Sequence, residues 1–153
     1  MGMTSLSQSK TLAEKADYRR EAKVDLLGGI PSITLVKIYA DKFGKSHFRK
    51  VKIETTLTDF APPASPIYLS DPTEAKVNLF LVFPVDWYGK PHPAPKRQLL
   101  VFLSGSVEVI VSDGESRLFN PGDFCLLEDT LGEGHVTRNV GTEPVLVSVT
   151  QFQ

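Results

Sequence analysis

The sequence predicts an all-β domain, a sandwich or closed barrel built from many short strands. Three observations carry that expectation. From Ile33 to the end of the chain, apolar residues recur with a period near two, the spacing of a strand with one buried face. Turn-forming clusters interrupt the pattern roughly every 8–12 residues, as they do in sandwiches and barrels. The length of 153 residues suits one domain with its own core and leaves little room for a second.

The elements follow in order. Residues 1–30 read as an N-terminal extension, helical or disordered, ahead of a barrel over residues 31–153. Ser9 to Lys23 is polar and charge-mixed, with Leu12, Ala16 and Tyr18 near one helical face. Gly28-Gly29-Ile30-Pro31 ends that stretch with a turn. Ile33–Tyr39, rich in β-branched residues, reads as a strand, and Asp41 to Gly44 as the turn after it. His47–Thr55 alternates, with Val51 and Ile53 on one face against Lys50, Lys52 and Glu54 on the other. Ala61 to Pro66 is a stiff, Pro-rich connection, and its Pro62–Pro66 part could cover a pocket. Val77–Phe83 is mostly apolar, the pattern of a buried strand. Leu99–Leu103, Ser104-Gly105 and Val107–Val111 read as a hairpin. Asp113-Gly114 turns the chain into Ser116–Phe119, and Asn120 to Asp123 turns it into Phe124–Leu127. Val136–Val140 and Val145–Thr150 close the pattern.

Composition narrows the partners. Lys and Arg number 17 against 18 Asp and Glu, so the chain lacks the basic excess that phosphate contacts to nucleic acid require. No stretch approaches the roughly 18 apolar residues of a membrane span, and the N-terminus lacks the apolar run of a secretory signal. A cytoplasmic protein that binds neither nucleic acid nor membrane is the expectation. Cys125 is the single cysteine, so an internal disulfide and a Cys/His zinc pattern are both excluded. In Phe124-Cys125-Leu126-Leu127 it reads as a small buried hydrophobe and not a nucleophile.

Two segments could carry chemistry. In Tyr88 to Gln98, prolines 91, 93 and 95 alternate and hold the backbone extended. By that parity His92, Ala94, Lys96 and Gln98 share one face, and His92 points inward if Gln98 does so with Leu100 and Phe102. A lone histidine can equally be a structural hydrogen-bonding residue. In Glu128 to Asn139, His135, Thr137 and Asn139 share a strand face behind a Gly-containing loop that carries Glu128, Asp129 and Thr130. A carboxylate beside a histidine orders its tautomer or works with it as acid and base. The same acids can also simply hydrogen-bond the loop. Trp87 and Tyr88 could line a pocket mouth or pack, and His47 reads as a surface or edge residue.

These residues resemble the cupin superfamily. Its first motif is matched by Gly89, His92-Pro93-Ala94, Gln98 and Gly105, and its second by Gly122-Asp123, Gly132-Glu133-Gly134-His135 and Asn139. The stretch from Gly122 to His135 is about two residues longer than the motif, and Glu128 stands where it has a proline. The chain is similar, more closely, to small single-domain cupins with a His-Pro-Ala-Pro-x-Arg-Gln segment and a Glu-Asp-Thr-x-Gly-x-Gly-His loop. An upstream Tyr39 to Phe48 segment also matches that group.

The resemblance implies a single cupin jelly-roll barrel, a homodimer, and a small-molecule ligand or substrate in the barrel. Metal-binding cupins use two histidines, a Glu and the second-motif His. Here that set reduces to His92, Gln98 and His135, because Ala94 replaces one His and Gln98 the Glu. It is an incomplete set for iron, manganese, nickel or zinc. The leading expectation is a cupin-type enzyme using histidine acid–base chemistry of isomerase, cyclase or dehydratase type. His92, His135, Lys96 and Glu128 are its candidate catalytic residues. Gln98, Leu100, Phe102, Thr137 and Asn139 are the candidate ligand-binding residues, with Val107, Val109 and Val111 completing an apolar wall. The alternatives are a metal-dependent dioxygenase or lyase and a non-catalytic binding module.

Overall fold

In a computed structural model, which describes residues 23–152, the chain forms an all-β, two-sheet jelly-roll barrel. The helix expected over residues 9–23 lies outside the described residues except for Lys23, which begins a strand. That strand, β1 (Lys23–Asp25), pairs with β2 (Ser32–Ala40) ahead of the boundary placed at residue 31. A single 3-10 turn, Leu27–Gly29, separates them.

The first sheet adds β3 (Ser46–Glu54), β6 (Val77–Phe83), β8 (Gln98–Ser104), β11 (Phe124–Leu127) and β13 (Val145–Gln151). Its order is β1-β2-β11-β8-β13-β6, with β3 on the other side of β2. The second sheet is β10-β9-β12-β7, from β7 (Tyr88–His92), β9 (Val107–Val111), β10 (Ser116–Phe119) and β12 (His135–Asn139). A small separate hairpin, β4 (Thr56–Thr58) with β5 (Ile67–Leu69), flanks the Pro-rich connection, and no residue of it lines the barrel cavity.

Two expectations about pairing change. The hairpin expected from Leu99 to Val111 does not form, since β8 pairs β11 and β13 while β9 pairs β10 and β12. Gly105, at φ 74, takes the chain from one sheet to the other instead of folding it back on itself. The strand over Val77–Phe83 is an edge strand and not a buried one. Among the described residues it pairs only β13, and its outward residues Phe80 and Val82 are 66% and 60% exposed.

Alternation divides each strand between outside and core. Val145, Val147 and Val149 of β13 point inward while Leu146, Ser148 and Thr150 are only partly covered. Phe102 stacks on Phe119 with centroids 5.2 Å apart, and Val107, Val109 and Val111 are buried in the same core. Fully burying a side chain of this size contributes about 1.5–3 kcal/mol, so this core anchors the fold. Beside that core the strands leave space. Leu100, Leu127, Thr137 and Val149 line a cavity, whereas Phe102, Cys125, Asn139 and Val147, each two residues away on the same strand, do not.

Candidate functional site

The cavity has a volume of about 460 Å³ and lies between the sheets. Leu79, Leu81 and Phe83 of the edge strand form one wall, with Leu100, Leu127 and Val149 beside them. Trp87 stacks on Phe83 at 4.5 Å between centroids and completes the apolar lining with Pro93, Ala94 and Pro95. The polar lining consists of His92, Gln98, His135, Thr137 and Gln151.

Backbone register puts the two histidines together. His135 opens β12 and pairs directly with His92 at the end of β7, and their rings lie 5.0 Å apart between centroids. The loop before β12 is pinned to the same place. The Ala94 N–H donates to the Asp129 carbonyl at 3.0 Å, and Gly134 lies against the His92–Pro93 backbone. At φ 70, a Cβ on Gly134 would collide with the His92 carbonyl, so only glycine lets the chain approach this closely.

The two imidazoles are held alike. His135 Nδ1 donates to Asp129 Oδ2 at 2.6 Å, with both residues buried. His92 Nδ1 donates to the Lys90 carbonyl at 2.5 Å. Each hydrogen bond fixes the proton on Nδ1 and leaves Nε2 as an acceptor, as second partners do for functional histidines. Asp129 is fully buried, and its Oδ1 has no hydrogen-bond partner among the described residues. That oxygen is a cost the fold carries in order to keep a carboxylate behind His135.

The expected site residues divide. His92, His135, Gln98, Leu100 and Thr137 line the cavity together. Phe102 does not, and neither do Val107, Val109 and Val111, which are packed in the core alongside β12. Asn139 is a turn residue, its Nδ2 donating to the Glu143 carbonyl at 2.8 Å and its Oδ1 accepting from Gly141 N–H at 2.9 Å. Lys96 is exposed and outside the cavity. The chain is extended only through β7, and residues 93–97 bend instead of continuing the parity to Gln98.

Glu128 faces the other way. It accepts from Lys37 Nζ at 2.9 Å and from Arg97 Nε at 2.8 Å on the outer side of the barrel. Partial burial pushes its pKa up, but the hydrogen bonds from Arg97 and Lys37 outweigh that and hold it below the ordinary carboxylate value. The acid that serves His135 is Asp129, one residue on. Leu127 points inward, so alternation alone carries Glu128 outward and returns Asp129 to the inside. Leu79, Leu81 and Phe83 also went unassigned, because a nearly continuous apolar run does not show which face is the wall.

The metal that the cupin resemblance implies does not fit these residues. Ala94 is buried and offers no donor, and Gln98 Oε1 already accepts from Gln151 Nε2 at 2.9 Å. Among the described residues no three His, Cys, Asp or Glu side chains come together as a metal would require. Two neutral imidazoles without an anionic ligand hold a divalent ion weakly.

The chain is structurally similar to cupin barrel domains. A Cupin 2 conserved barrel domain protein from Salinispora arenicola is 17% identical with a TM-score of 0.44, over 66% of this chain and 76% of that one. Another from Leptotrichia buccalis is 16% identical with a TM-score of 0.39, over 86% and 88%. Drosophila melanogaster CENP-C, in a structure bound to CAL1, is 12% identical with a TM-score of 0.40, over 95% and 98%. These are likenesses of fold. No family model and no curated protein matches the chain.

Proposed function

We propose that the protein binds a small organic molecule in the barrel cavity and acts on it by metal-independent proton transfer, with His135 as general base. One observation carries this reading. A buried carboxylate, Asp129, is hydrogen-bonded to Nδ1 of an imidazole whose other nitrogen is left to a cavity walled mainly by apolar side chains. Asp129 orients the ring and stabilises the imidazolium that forms when Nε2 takes a proton. His92, 5.0 Å away between centroids, is placed to return or relay that proton. Burial of His135 and Asp129 strengthens their interaction relative to water. Removal and return of a proton suit isomerase, cyclase and dehydratase reactions.

A metabolite extract incubated in D₂O with the wild-type protein or with His135→Ala tests this, read by mass spectrometry. Deuterium incorporation or loss of water in one compound, present with wild type and absent with the variant, is the expected result. Identical extracts in both arms would contradict catalysis and leave the cavity as a binding site only.

A further inference from the structure

We propose that the cavity selects an uncharged, largely apolar molecule bearing a hydroxyl group, of the phenol or enol class, with that hydroxyl donated to the imidazole pair. This deepens the reading of the cavity as the ligand site and rests on it. The hydrogen bonding comes first. Both Nδ1–H groups are spent inside the protein, on the Lys90 carbonyl and on Asp129, so each ring keeps Nε2 as its acceptor, and both rings line the cavity with centroids 5.0 Å apart. Such a pair requires a donor from whatever binds.

Charge comes second. Among the described residues no Lys, Arg, Asp or Glu side chain lines the cavity. A carboxylate or phosphate entering it would exchange its hydration for the neutral Thr137 hydroxyl and Gln98 amide, while facing the two lone pairs and the Asp129 charge behind them. An ammonium fares no better, since Asp129 is fully buried and already bonded to His135. A hydroxyl satisfies the site because it donates to an imidazole and can accept from Thr137. The walls decide the remainder of the molecule: Leu79, Leu81, Phe83 and Leu100 offer apolar contact only, in a volume typical of small-molecule pockets.

Three probes of matched shape test the inference on the full chain: para-ethylphenol, its methyl ether para-ethylanisole, and para-ethylbenzoate. Calorimetry reads affinity, and emission from Trp87, the chain's single tryptophan and part of the cavity wall, reports entry. The phenol is expected to change Trp87 emission and to bind on the order of tenfold more tightly than the ether, the worth of one hydrogen bond to an otherwise unpaired acceptor. The benzoate is expected to give no saturable binding. His135→Phe should abolish the preference for phenol over ether. His92→Phe, at an exposed ring, makes the same comparison if the first variant does not fold. Equal binding of ether or benzoate, with Trp87 responding, would overturn the hydroxyl assignment and leave the cavity as a ligand site. No heat and no Trp87 response to any probe would overturn both.

Discussion

At the scale of single residues, the site depends on one buried carboxylate. Asp129→Ala would leave the His135 Nδ1–H without its acceptor in a buried position, which costs about 1–3 kcal/mol. Urea denaturation is the measurement, and unchanged stability would show that the pair holds nothing in place. Much of this was legible beforehand: both histidines, Gln98 and Thr137 are inward residues in the sequence and in the barrel. The acid was displaced by one position, because both Glu128 and Asp129 precede His135 and only the phase of β11 tells them apart. Lys96 was misplaced for a related reason. Alternating prolines restrict each backbone step, but they do not prevent a bend between β7 and β8.

At the scale of elements, the junction of β7, the Asp129 loop and β12 is what brings the histidines together. Gly134→Ala should break it, through about 1–3 kcal/mol of left-handed backbone strain and a further collision with the His92 carbonyl. Gly114→Ala is the control, with φ at 98 and nothing within 4 Å of a new Cβ, so it meets strain without collision. Thermal melts should show Gly134→Ala losing clearly more stability than Gly114→Ala. Equal losses would remove the close approach from the account. Strand positions were largely readable, because period-two alternation and turn residues are local signals. Partner choice was not: Ser104-Gly105 suits a hairpin and a sheet crossing equally well, and the outcome depends on which distant strand buries each face.

At the scale of the whole molecule, the cavity end is buttressed by a clamp outside it. His47 Nε2 meets Asp41 Oδ2 and Nδ1 meets Asp113 Oδ2, each at 2.7 Å, joining the β2–β3 turn to the β9–β10 turn. The neighbouring Ser46 hydroxyl donates to the Gly134 carbonyl at 2.6 Å, so these turns also hold the loop that leads into His135. The hydrogen bond with Asp41, then that with Asp113, raises the His47 pKa. The His47 hydrogen bond lowers that of Asp41, and a backbone N–H from Glu115 leads in lowering that of Asp113, with His47 adding to it. A raised histidine contributes stability below its unfolded pKa and loses it as pH rises through the folded value; the lowered carboxylates lose theirs as pH falls through their folded values. Wild type should therefore exceed His47→Gln in Tm over weakly acidic pH, with the gap closing on both sides, and a gap constant with pH would contradict the clamp. The central claim, that two imidazoles offer Nε2 lone pairs to an apolar cavity, is tested most directly by ¹⁵N NMR of the histidine rings at a pH where they are neutral. The account predicts a protonated Nδ1 and a pyridine-type Nε2 for both His92 and His135; a proton on Nε2 of either ring would contradict it.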